Sequence, residues 1–285
     1  MKKDFYKEIL SDKSKNLDHL GFLLKKQYLS QSPYPHIELD NFFSVDFLNS
    51  ILTEFPDLSG FKFSENYKNQ NEIKFANNDY KNFPKKIKFF FDFLNSNYFI
   101  NFLQNLTSIK EKLLADEDLN GGGLHEIKSG GLLKVHTDFN KHPNKELDRR
   151  VNVLIYLNKD WKREYNGYLE LWDKEMQFCK KKISPDFNKM VIFSTTDFSN
   201  HGHPEPLKCP KNKSRKSLAL YYFSNGRPQE EILDKNLKNR TLFKSRAGHS
   251  NEVKNNKDYF KVFLRKFSWY QKMKKFEKKY LRKKK

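Results

Sequence analysis

The stretch "GGGLHEIKSGGLLKVHTD", residues 121–138, is where the chain changes period. Before it, apolar residues recur three and four apart. In "KKIKFFFDFLNSNYFINFLQNLTS" (85–108) that spacing predicts one or two helices. From residue 124 onward the period is two. Two short strands with a glycine turn are expected over 124–138, then a buried strand in the apolar run "RRVNVLIYLN" (149–158). "GYLELWD" (167–173) alternates, "MQFCKKKISP" (176–185) does so more weakly, and "KMVIFSTTD" (189–197) and "SRKSLALYYFS" (214–224) complete the series. Short strands punctuated by Gly, Asn and Pro predict a sandwich or barrel rather than βαβ units.

Working outward, "HIELDNF" (36–42) reads as a strand, and "SVDFLNSILTEFP" (44–56) as a helix with a Ser start and a Pro stop. Residues 60–84, rich in Asn, Lys and Phe, read as irregular, and residues 1–30 as a mixed-charge helical extension. At the far end, "YFKVFLRKFSWYQKMKKFEKKYLRKKK" (259–285) carries aromatic and apolar residues at 260, 263, 267, 270, 273, 276 and 280. That spacing predicts a helix with an aromatic stripe and a lysine-rich back.

The 285 residues carry a net charge of +20, which favours anionic partners. Cys179 and Cys209 form neither a disulfide framework nor a zinc ribbon, so a reduced, cytoplasmic setting is expected. "MKKDFYKEILSDKSK" has no apolar core of a secretory signal, and no apolar run is long enough to cross a bilayer.

Chemistry gathers on the strands. In an extended chain His136 and Asp138 share a face while Thr137 points away. One imidazole and one carboxylate are part of a metal site. "FSTTDFSNHGHPEP" (193–206) adds His201 and His203 in one turn, and "SRKS" opens a strand with Arg215 and Ser217 on one face. HxD, a distant His and Arg-x-Ser is the order of a two-histidine, one-carboxylate iron site, which leaves one face of Fe(II) open. A carboxylated co-substrate also needs a fixed cation. A guanidinium pairs with a carboxylate in a planar fork and stays charged.

These residues resemble the Fe(II)/2-oxoglutarate-dependent dioxygenases, specifically the prolyl 4-hydroxylase-like group, from about residue 35 to about residue 245. The anchors are "PHIELDNFF", "GGLLKVHTDFN", "VNVLIYLN", "GYLELWD", "FSTTDFSNHGHPEPL" and "RKSLALYYFS". The resemblance implies an α+β chain with a mainly β core, a double-stranded β-helix (jelly roll, cupin-like), with N-terminal supporting helices and a basic C-terminal helix. The implied layout is an extension over 1–30, a dioxygenase domain over 31–245 with its β core at about 121–225, and a basic tail over 246–285. His136, Asp138 and His201 are the implied iron ligands. Arg215 is the implied partner of the distal 2-oxoglutarate carboxylate, with Tyr156 on the same carboxylate and Ser217 and Asn152 beside the co-substrate. The implied reaction uses Fe(II), 2-oxoglutarate and O2, with ascorbate as a candidate accessory. It hydroxylates an unactivated C–H of a peptidyl or small-molecule substrate and releases succinate and CO2.

Several readings stay open at this level. His203 rivals His201, although Pro204 restricts it. Tyr156 packs in the core or meets the co-substrate. His125 lines the pocket or is a satisfied structural histidine, and His142 reads as a loop residue. Residues 60–84 and 139–149 are candidates for the pocket mouth, and "TLFKSRAG" (241–248) for a return to the barrel. The C-terminal helix packs on the barrel or on a second subunit, lies peripherally on an anionic membrane, or binds nucleic acid. The rival class of function is a non-enzymatic, basic jelly-roll binding module for nucleic acid or anionic surfaces, which would not need the ligand set.

Overall fold

The computed structural model describes residues 6, 8–232, 241–249 and 252–253. The expected C-terminal helix lies outside the described residues. Four helices precede most of the strands: α1 (Leu17–Leu29), α2 (Val45–Glu54), α3 (Lys85–Leu94) and α4 (Asn97–Thr107). The expected Ser start of α2 is an N-cap, since Ser44 accepts from the Phe47 N–H, and Ser96 caps α4 through Phe99 in the same way. Among the described residues no helix is long and apolar enough to cross a membrane.

The strands run β1 (His36–Asp40), β2 (Glu65–Lys68), β3 (Glu72–Asn77), β4 (Leu114–Ala115), β5 (Gly123–Lys128), β6 (Leu132–Thr137) and β7 (Asp148–Tyr156). They continue as β8 (Leu169–Trp172), β9 (Cys179–Ile183), β10 (Lys189–Ser194), β11 (Asn200–His203), β12 (Ser214–Ser224) and β13 (Leu242–Phe243). One face is the antiparallel array β1-β10-β7-β12-β5, and the other is β6-β11-β8-β9. Along the chain, β5 to β12 switch between these arrays at nearly every step. That is the winding of a double-stranded β-helix, as expected from the sequence. β3 pairs with both β5 and β6 and closes one side.

Side-chain alternation sorts the first array. Val151, Val153 and Ile155 of β7, Met190 and Ile192 of β10, and Leu218, Leu220 and Tyr222 of β12 pack outward into a core with Phe90, Phe99 and Phe102 of the helices. The alternate residues, including Asn152, Leu154, Arg215, Ser217 and Tyr221, then face the interior, where they line a cavity of about 230 Å³. The helices thus seal one face of the sheet, and the cavity occupies the other.

Three expectations are corrected. Residues 60–84 are not irregular throughout, because β2 and β3 form a hairpin within them. The described part of the N-terminal stretch is no loose add-on. Ile9, Leu10, Leu17 and Tyr28 join the main core, and the Tyr28 hydroxyl lies 2.7 Å from the Ser194 hydroxyl. His201 and His203 lie on a strand rather than in a turn, which puts both on one face. The return of 241–248 does occur: β13 pairs with β6, and Phe243 sits 5.5 Å, ring to ring, from His136.

Candidate metal centre

The cavity brings together candidate ligands from two neighbouring strands of the second array. His136 and His201 are direct cross-strand partners on β6 and β11, with ring centroids 4.5 Å apart. Asp138 follows the end of β6. Its two carboxylate oxygens lie 3.4 Å from His136 Nε2 and 3.4 Å from His201 Nε2. One donor atom from each of the three residues falls within 4.8 Å of the others. His203 is not part of this group.

Local backbone sets the imidazoles. His136 Nδ1 is 2.8 Å from the Lys134 carbonyl, and His201 Nδ1 is 3.0 Å from that of Ser199. A carbonyl only accepts, so each Nδ1 carries the proton and each Nε2 keeps its lone pair towards the centre. Burial pushes His201 down to about 4, so it is a neutral ligand at ordinary pH. Gly202 explains why β11 can come so close. A Cβ there would lie 2.8 Å from the carbonyl oxygens of Leu133 and Lys134.

A second layer holds the aspartate. Asp138 Oδ2 accepts from Arg149 at 2.9 Å and from Asn152 Nδ2 at 2.7 Å. Arg149 Nε also donates to Asn152 Oδ1 at 2.9 Å, and its guanidinium lies between the Phe139 and Tyr221 rings. Burial raises the Asp138 carboxyl, but Arg149 and the two imidazoles reverse this and hold it well below the usual range. Simple alternation would turn Arg149 outward with Val151. A bulge in β7 reverses it: Tyr222 faces Val151, while Phe223 faces Arg149. The sequence reading missed Arg149 because a bulge leaves no mark in a periodic pattern. The doubled arginine at the head of an apolar strand is the one available signal.

Arg215 is buried at another part of the cavity. Its Nε donates to the Gly167 carbonyl at 2.8 Å, and Nη2 lies 3.2 Å from the Tyr156 hydroxyl. No carboxylate pairs with it among the described residues. A buried cation without a counter-ion is costly, and an incoming carboxylate removes that cost. Ser217 lines the same cavity. Tyr156 is fully buried among Leu169, Leu171 and Phe193 and orients Arg215 from behind. Asn152 lines the cavity, with its amide committed to Asp138 and Arg149. His125 also lines the cavity.

The residues read as a possible mouth are there in part: Tyr67 and Lys74 of the β2–β3 hairpin, Phe139, and Thr241. His142 is a buried clasp rather than a free loop residue. It accepts from the Asn144 N–H at Nδ1 (3.1 Å), so its Nε2 carries the proton and donates to Asp116 at 3.1 Å. That protonated nitrogen makes the nearby Asp116, Asp118 and His142 a hydrogen-bonded group, not a second metal site.

Two imidazoles and a carboxylate, converging on one side of a point open to a cavity, suit Fe(II) with exchangeable positions. Comparison with known proteins agrees. Residues 122–223 match the family model described as the 2OG-Fe(II) oxygenase superfamily, and His136, Asp138, His201 and Arg215 fall within that span. Enzymes of that superfamily use Fe(II), 2-oxoglutarate and O2. Among solved structures, the chain is similar to a Trichoplax adhaerens prolyl hydroxylase in complex with a hypoxia inducible factor peptide fragment (17% identity, 73% of this chain and 90% of that one, TM-score 0.53). It is also similar to a Pseudomonas putida prolyl-4-hydroxylase (13%, 72% and 100%, 0.53) and a Phytophthora capsici prolyl 4-hydroxylase (20%, 76% and 68%, 0.51). At these identities the likeness shows the fold. The β core is a 2OG-Fe(II) oxygenase domain, and the chain is an oxidoreductase.

Proposed function

We propose, from the premise that this core is a 2OG-Fe(II) oxygenase domain, that the protein hydroxylates an unactivated C–H in a prolyl-hydroxylase-like reaction on a peptidyl or small-molecule substrate. The observation that carries the reading is the pairing of two features in one cavity. His136, Asp138 and His201 converge within bonding reach of one ion, and Arg215 waits there without a carboxylate partner.

Iron bound there would couple oxidative decarboxylation of 2-oxoglutarate to oxygen insertion. The protein's own residues supply position. Nδ1 bonds to backbone carbonyls fix both imidazoles, and Arg149 and Asn152 stop the Asp138 carboxylate from rotating. Arg215, braced by Gly167 and Tyr156, holds the distal carboxylate. The helix layer keeps water from one side of the sheet. On the open side, Arg149 keeps Nη1 buried and unpaired, a donor suited to a substrate carbonyl. The peptide bound by the Trichoplax neighbour supports the peptidyl form of this reading.

The test is incubation with Fe(II), 2-oxoglutarate and a panel of peptides, free amino acids and nucleotide-sugars. Succinate and a product heavier by one oxygen are expected. His136→Ala and Asp138→Ala should abolish both, and unchanged turnover in either variant would contradict the assignment.

A further inference from the structure

His203 is a buried imidazole, 3% exposed, and it lines the cavity. Neither ring nitrogen has a hydrogen-bond partner in the protein. Nearby, His125 of β5 also lines the cavity, and its Nε2 is likewise sealed and unpaired. His125 is braced by the backbone of Gly121 and Gly122, so its Nδ1 carries the proton and Nε2 only a lone pair. A buried ring with neither nitrogen paired, as in His203, is unusual, because native folds pair such atoms or spend them on a ligand.

Their surroundings say which ligand. His125 stands directly across from Ser217, two residues beyond Arg215 on β12. His203 lies two residues beyond His201 on β11, across a shift in the pairing with β6, and like His201 it lines the cavity. Burial and then the charge of Arg215 act most strongly on His203, and Lys74 and Arg215 are the charges acting on His125. Both rings therefore sit in the part of the cavity that holds Arg215. A neutral imidazole always offers one N–H, whichever tautomer it adopts.

Building on the function proposed above, we propose that His203 is a specificity residue for the co-substrate, donating a hydrogen bond to the distal carboxylate that Arg215 pairs with. Arg215 uses Nε and Nη2 on Gly167 and Tyr156. The second oxygen of a carboxylate then needs a further donor, and His203 supplies it. A 2-oxo acid that lacks the distal carboxylate would gain nothing from that ring.

The test compares 2-oxoglutarate with 2-oxobutyrate, which has no distal carboxylate. Mn(II), inert to oxygen chemistry, is loaded in place of iron, and affinities are measured by calorimetry for the wild type, His203→Leu and His203→Gln. The expected result is preference for 2-oxoglutarate in the wild type. His203→Leu should weaken 2-oxoglutarate about tenfold or more and leave 2-oxobutyrate unchanged, as for loss of a hydrogen bond to a charged group. His203→Gln, which keeps a donor, should recover part of the loss. A His203→Leu variant that keeps the wild-type ratio of the two affinities overturns the proposal and leaves the enzyme reading standing. A wild type that binds Mn(II) but neither oxo acid overturns both.

Discussion

Arg149 is the residue on which the ligand geometry turns. It is buried, sandwiched between Phe139 and Tyr221, and bonded to Oδ2 of Asp138. Arg149→Met keeps the stem and removes the bond. It should lower Fe(II) affinity about 10–100-fold, the usual effect of losing an outer-shell partner, read by anaerobic metal titration. The buried histidines predict a pH effect on the metal-free protein. Burial lowers His125 to about 3 and places His203 well below its ordinary value, whereas both titrate near 6.5 in an unfolded chain. Below that value the unfolded chain takes up protons that the folded one refuses, so stability present at neutral pH is lost as pH falls. By pH 5 the loss should be about 2 kcal/mol for His125, with a further loss of the same sign from His203, checked by urea unfolding at pH 7 and pH 5. At this scale the sequence was informative where chemistry follows strand spacing. That His136, Asp138, His201 and Arg215 share one cavity was readable from HxD, a later His and Arg-x-Ser. The commitment of Asn152 to Asp138 was not, since it depends on Arg149 and hence on a bulge.

Among elements, the β6–β11 pair bears the most weight, because His136 and His201 face each other across it. Gly202→Ala would drive a Cβ to 2.8 Å from two carbonyl oxygens of β6. We expect a loss of about 1–3 kcal/mol in stability, as for other overpacked sites, and a larger loss of metal binding as the strands part. Thermal melts with and without Mn(II) measure both. The helices were legible because their apolar spacing and serine caps are local features, and removing one cap, Ser96→Ala, should cost about 1 kcal/mol. The β2–β3 hairpin was not legible. Its strands are four and six residues long, β2 is largely exposed, and Asn, Lys and Glu interrupt any alternation. Such strands form because β5 and β6 offer edges to pair with, and that information is tertiary. His203 was misplaced in a turn for a related reason, as "NHGHP" carries turn residues but is held extended between β6 and β8.

For the whole molecule, charge and site separate along the chain. Residues 254–285 contain 14 basic and 2 acidic residues, so they carry +12 of the net +20. Any binding to nucleic acid or anionic vesicles should fall steeply as salt rises, and deletion of 254–285 should remove most of it. A salt series on the intact and shortened chains checks this. The central claim concerns the other end of the balance, a single ferrous ion held by His136, Asp138 and His201 with 2-oxoglutarate beside it. Anaerobic titration of the intact protein with Fe(II) in the presence of 2-oxoglutarate, followed by the visible absorption of the chelated iron, tests it most directly. The account predicts saturation at one iron per chain, with the signal lost in Asp138→Ala and His201→Ala. Absence of the signal in the wild type, or its survival unchanged in His201→Ala, would contradict it.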